Sequence, residues 1–151
     1  MALRRKGKTM AKRQAEIGPL AEGIVKVLGP HSAFIVLFGS AAQGRLTADS
    51  DVDVAYLPRE IREAAAVGMV HLDRVAALED AIGRRVDLLD LSRSDPIVNW
   101  QVIKTGVVIW GRESRAWAEF RLRVPTQYED FKRERAAVEE SLARRGIGGQ
   151  G

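Results

Sequence analysis

The 151-residue chain is 46% hydrophobic, with a formal net charge of +4 and a pI near 9.8. That length and apolar content describe one domain able to bury a core, and the lack of cysteine excludes disulfides, cysteine zinc sites and thiol catalysis. No apolar run approaches the ~20 residues of a membrane span and none follows the basic start as in a signal peptide, so a cytoplasmic protein is expected.

Much of the excess charge comes first. Arg4, Arg5, Lys6, Lys8, Lys12 and Arg13 precede the first acid, Glu16. Residues 1–11 are expected to be a disordered basic arm, read as a solvated tail rather than a nucleic-acid contact. A first helix is expected over about 12–28, with Leu20, Ile24, Val27 and Leu28 on one face. Gly18-Pro19 is an alternative start. Gly29-Pro30 ends it. Residues 32–38 form an apolar run of β-formers, hence a buried strand. Residues 39–50 are polar and turn-rich, with a short helix expected at their start. Val52 to Leu57 alternates as a second strand, stopped by Pro58.

Residues 60–82 carry an apolar stripe of Val67, Val70, Val75, Leu78 and Ile82, and Gly83 caps them as a helix. Residues 85–91 read as a third strand. Ser94 or Asp95 caps the next helix, with Pro96 in its first turn and Gly106 at its end. Residues 107–110 read as a fourth strand. The charged remainder is helical, and Pro125 is expected to divide it. Its second part places Val124, Tyr128, Phe131, Val138 and Leu142 at helical spacing, a stripe for docking on the domain's own sheet or for homo- or hetero-oligomer contact. Its mixed charge argues against nucleic acid. The expected organisation is an arm at 1–11, a catalytic domain at 12–112, a C-terminal helical extension at 113–145 and a flexible tail at 146–151. The fold class expected is α/β, a mixed sheet of about four strands with helices packed on it.

The chemistry lies between Phe38 and Val54. Gly39-Ser40 follows a buried strand; a glycine there lets a phosphate approach the backbone, and N–H groups with the Ser40 hydroxyl make an anion site. Asp51 and Asp53, two apart, point to one face. Two parallel carboxylates repel unless a cation lies between them. Mg²⁺ takes oxygen ligands and shares substrate phosphates, which is what two-metal phosphoryl transfer requires. A third carboxylate is expected from the next strand. Asp87 and Asp90 lie on its opposite faces, and Asp87, between Val86 and Leu88, has the better position. Asp90 is then a solvent-side or edge residue.

These residues resemble the signature of the minimal nucleotidyltransferases of the DNA-polymerase-β superfamily: Gly39-Ser40, ten residues (41–50), then Asp51-Val52-Asp53. Ser50 before the first acid, Gly44 in the turn and the run from Val86 to Gly111 also match, so the resemblance covers about residues 17–112. It implies a polymerase-β-type fold, ATP as nucleotide donor and two Mg²⁺ ions on Asp51, Asp53 and Asp87. It implies a triphosphate site at Gly39, Ser40, Gly44, Arg45 and Ser50. Many relatives carry Arg where this chain has Gln43, and Arg45 stands two residues on. The resemblance further implies an antitoxin that moves AMP from ATP to a tyrosine hydroxyl of a HEPN-type ribonuclease toxin. Two alternatives stand beside it: transfer to a small molecule or an RNA end, and neutralisation of a partner by contact alone. Core or interface packing is the expected role of Trp100, Trp110 and Trp117, and a non-ligand role that of His31 and His71.

Overall fold

The computed structural model describes the backbone of residues 2–60 and 64–149 and the side chains of residues 15–60 and 66–146. In chain order the elements are α1 (Ala2–Leu28), β1 (Ser32–Phe38), α2 (Gly39–Ala42), β2 (Val52–Pro58), α3 (Ala64–Ile82), β3 (Val86–Asp90), α4 (Pro96–Thr105), β4 (Val107–Trp110) and α5 (Arg115–Gly149). The sheet order is β3-β2-β1-β4. β1 runs antiparallel to β2 and to β4, whereas β2 and β3 are parallel. A parallel pair needs a crossover, and α3 supplies it. The α/β class and all four strands match the sequence expectation.

Strand alternation sends side chains to two separate apolar layers. On one face Ile35, Leu37, Val52, Val54, Tyr56 and Leu88 pack with Leu20, Ile24 and Leu28 of α1 and Leu78 of α3. On the other, Phe34, Val36, Ala55 and Leu91 pack with Val102 of α4 and Trp117, Phe120 and Val124 of α5. The second layer centres on an aromatic trio: Phe34 lies 5.1 Å from Trp117 and 5.3 Å from Phe120, ring centre to ring centre. Trp100 stacks on Tyr128 at 5.1 Å, joining α4 to α5. Trp110 donates its indole N–H to the Ser32 carbonyl. The three tryptophans are thus structural contacts. Among the described residues no helix is long and apolar enough to cross a membrane.

Helix ends depart most from expectation. α1 begins at Ala2, so the backbone of the basic segment is helical instead of disordered. Ala, Leu, Arg, Lys and Met are strong helix formers, and their propensity outweighs the charge pattern that indicated a tail. Pro19 lies inside α1, held there by the stripe of Leu20, Ile24 and Leu28. Pro125 likewise lies inside one continuous α5, because Phe120 and Val124 dock the helix on the sheet before it and Tyr128 stacks on Trp100 after it. α5 also runs past Gly146 to Gly149, since glycine weakens a helix without forbidding it. Asp95 is the α4 cap, its carboxylate accepting from Val98 N–H at 2.9 Å. Of the expected 60–82 helix, residues 61–63 lie outside the described residues.

Phe120 is 1% exposed and touches both other rings of its trio. Phe120→Ala is expected to cost about 3–5 kcal/mol of folding stability, measurable by urea denaturation as a lower midpoint with an unchanged slope.

Candidate active site

The expected carboxylates meet at one end of the sheet. In the parallel β2–β3 register Asp53 sits beside Asp87, and in the β1–β2 register Asp53 sits opposite Phe38, the residue before Gly39. Asp51 lies one residue before β2, where Val52 N–H donates to the Arg85 carbonyl at 2.9 Å and starts the pairing. Burial lifts the Asp53 carboxyl above the usual carboxylate range, and the negative charges of Asp87 and then Asp51 push it the same way. Asp51 and Asp87 are exposed and Asp53 is half-buried. Asp90, three residues beyond Asp87, is used otherwise: its Oδ1 accepts from Ser92 N–H at 2.9 Å and from Ser92 Oγ at 2.6 Å, closing the end of β3.

Gly39 is required twice over. Its φ is +65°, in the left-handed region, and a β-carbon there would stand 2.2 Å from Asp53 Oδ2. The glycine therefore lets the turn close down on the acid. Ser40 follows in α2, whose N-terminus has no side-chain cap, with Phe38 at the cap position. Gln43 N–H donates to the Gly39 carbonyl at 3.2 Å and Arg45 N–H to the Ser40 carbonyl at 2.8 Å, so the turn is internally bonded. Gly44 allows the exit with a φ of +69°. Gln43 and Arg45 are exposed at the rim, and among the described residues Arg45 has no ion-pair partner.

Ser50 bonds within its own loop. Its hydroxyl accepts from Thr47 N–H at 3.0 Å and shares a hydrogen bond with Thr47 Oγ1 at 2.8 Å, so it ties its own loop. Sequence reasoning missed two arginines. Arg84 donates to the carbonyls of Thr47 and Ser50, clamping the loop that leads into Asp51. Arg85 Nε lies 3.7 Å from an Asp51 oxygen, an exposed pair of little energetic weight. Two adjacent cations opening the strand that bears Asp87 were the available signal.

The donor set is all carboxylate oxygen, clustered, and electrostatically uncompensated at Asp53. It suits a hard divalent cation. Among the described residues no group of three or more His, Asp or Glu side chains is drawn together closely enough to hold a metal ion by itself.

Gly39→Ala is expected to displace Asp53 by about 1 Å and to lower nucleotide transfer ~100-fold, with the circular dichroism spectrum retained. Arg84→Ala frees the 47–50 loop and is expected to lower transfer about tenfold, read in the same initial-rate assay.

Residues 23–115 match the family model described as Polymerase beta, Nucleotidyltransferase. The chain is 29% identical over 118 residues to the protein adenylyltransferase MntA of Shewanella oneidensis, a match covering 76% of this chain and 81% of that protein. It is similar to a chain in a crystal structure of a toxin–antitoxin with AMP-PNP, at 27% identity and a TM-score of 0.68, covering 82% of this chain and 98% of that one. The fold is also that of a chain in the complex of tri-AMPylated Shewanella oneidensis HEPN toxin with MNT antitoxin, at 24% identity and a TM-score of 0.64, covering 82% and 96%. With the Gly39 turn closed on Asp53 and Asp53 paired beside Asp87, the chain belongs to the polymerase-β nucleotidyltransferase family.

Proposed function

We propose that this chain is the antitoxin of a toxin–antitoxin pair and acts as a protein adenylyltransferase, moving AMP from ATP to a tyrosine hydroxyl of a HEPN-type ribonuclease. The observation that carries the chemistry is the register placing Asp53 beside Asp87, with Asp51 two residues away and Gly39 against Asp53. The acceptor is supported by likeness to the adenylyltransferase MntA and to the toxin–antitoxin structure holding AMP-PNP. A cytoplasmic location is part of this proposal, and ATP as donor and the lack of cysteine agree with it.

In this reading Gly39 and Ser40 hold the triphosphate at the open turn, with Arg45 at the rim. Asp51, Asp53 and Asp87 would hold two Mg²⁺ ions, which when bound supply charge neutralisation for the triphosphate and the departing pyrophosphate. Asp87, the exposed carboxylate on the neighbouring strand, accepts the proton of the incoming tyrosine hydroxyl. That oxygen attacks the α-phosphorus of ATP in line with the leaving pyrophosphate; the P–O bond to pyrophosphate breaks and a phosphodiester to AMP forms. Arg84 keeps the loop before Asp51 fixed, so the carboxylates need little rearrangement when substrate arrives.

The test is purified protein with labelled ATP, Mg²⁺ and the HEPN protein. Label is expected on toxin tyrosine, with ribonuclease activity lost in step. Asp51→Ala combined with Asp53→Ala should abolish transfer while leaving toxin binding intact in a pull-down. Neutralisation undiminished in that double variant would sink the catalytic reading in favour of contact alone.

A further inference from the structure

α5 does two different things along its length. Phe120 and Val124 are buried in the second apolar layer, and Tyr128 stacks on Trp100. From Lys132 to Gly146 every residue is exposed. A 35-residue helix extends roughly 52 Å at the usual rise, so its second half runs on beyond the body. The seam that docks the first half does not stop there. Val124, Tyr128, Phe131, Arg135, Val138 and Leu142 alternate at spacings of four and three, the pattern that keeps one stripe facing a partner helix. Val138 is 57% and Leu142 60% exposed. Ion pairs along the helix, Lys132–Glu129 at 3.2 Å, Arg135–Glu139 at 3.1 Å and Arg144–Glu140 at 2.6 Å, support its helicity. Lys132 also lies over the Tyr128 ring, 4.9 Å from its centre, and Val138 and Leu142 remain the exposed apolar part of the stripe.

We propose that the free half of α5 packs antiparallel against α5 of a second copy of this chain, forming a two-fold dimer. This inference does not depend on the catalytic reading. Charge complementarity selects the occupant and the direction. Lys132 and Glu139 flank the seam on one side, and Glu134 and Ser141 flank it on the other. An antiparallel pair sets Phe131 against Leu142 of the second copy and Val138 against the aliphatic stem of Arg135 of the second copy. The same register brings Lys132 opposite Glu139 of the second copy, and the two-fold axis makes that contact twice. A parallel pair would set Glu134 against Glu139 of the second copy, also twice, and like charges there are repulsive. The stripe thus complements itself in one orientation.

Sedimentation velocity of the full chain over a dilution series tests this directly. A monomer–dimer equilibrium is expected, abolished by Val138→Glu with Leu142→Glu. Those two side chains belong to neither apolar layer of the body, so the melting temperature and nucleotide transfer should be unchanged. Lys132→Glu should weaken the dimer about tenfold, and adding Glu139→Lys should restore it. To fix direction, one cysteine can replace Arg145 in this cysteine-free chain and carry a spin label. Labels far apart in the dimer support the antiparallel arrangement, and labels in contact overturn it. A chain monomeric at every concentration, or a dimer indifferent to the Val138 and Leu142 changes, also overturns the proposal. So does a monomer whose HEPN-toxin binding is lost in that double variant, since the stripe would then be the toxin's.

Discussion

Mutual repulsion among Asp51, Asp53 and Asp87 is the constraint around which the domain is arranged. Left to itself, a chain would keep three carboxylates apart in water. Here the parallel pairing of β2 with β3 forces Asp53 and Asp87 into neighbouring positions, and partial burial of Asp53 adds to the cost. The backbone ladder that imposes this is held by apolar layers on both of its faces. Their packing is far larger than the local repulsion, which persists as a concentration of negative charge at this end of the sheet.

Pre-organisation of the site depends on backbone more than on side-chain packing. Gly39 occupies space that any β-carbon would share with Asp53 Oδ2, so the turn and the acid are set as one unit. The loop from Thr47 to Ser50 is tied by its own hydroxyls and by Arg84, which springs from the turn preceding β3. One guanidinium thereby links the segment that delivers Asp51 to the strand that delivers Asp87. Holding reacting groups within a fraction of an ångström is where transfer enzymes gain much of their rate, and exposed carboxylates on a mobile loop would not meet that standard.

The resident helices divide the remaining work. α1 and α3 cover the face of the sheet away from the acids. α4 and the first half of α5 cover the acid-bearing face, through the Phe34, Trp117 and Phe120 trio and the Trp100–Tyr128 stack. The cover stops short of the end of the sheet where Asp51 and Asp87 are exposed. α5 then continues outward as a separate surface.

Strand positions were legible in the sequence because β-branched and aromatic runs bounded by Gly and Pro mark buried strands with little ambiguity. The Gly39-Ser40 and Asp51-Val52-Asp53 spacing was legible because the chemistry needs those residue types in that order. Alternation along β3 put Asp87 and Asp90 on opposite faces, and position in the motif singled out Asp87. Helix boundaries were less legible: Gly18-Pro19 offered an alternative start and Pro125 read as a break, but packing of neighbouring apolar residues carries α1 and α5 across both. The contacts of Ser50, Arg84 and Arg85 were also hidden, since a hydroxyl or guanidinium can reach many partners and sequence spacing does not choose among them. The sequence by itself determined which residues could do the chemistry, through local composition and period. Only the tertiary structure decided which of them meet, because the β2–β3 register, the approach of Gly39 to Asp53 and the reach of Arg84 to Thr47 and Ser50 are contacts between distant segments, set by burial of the whole core.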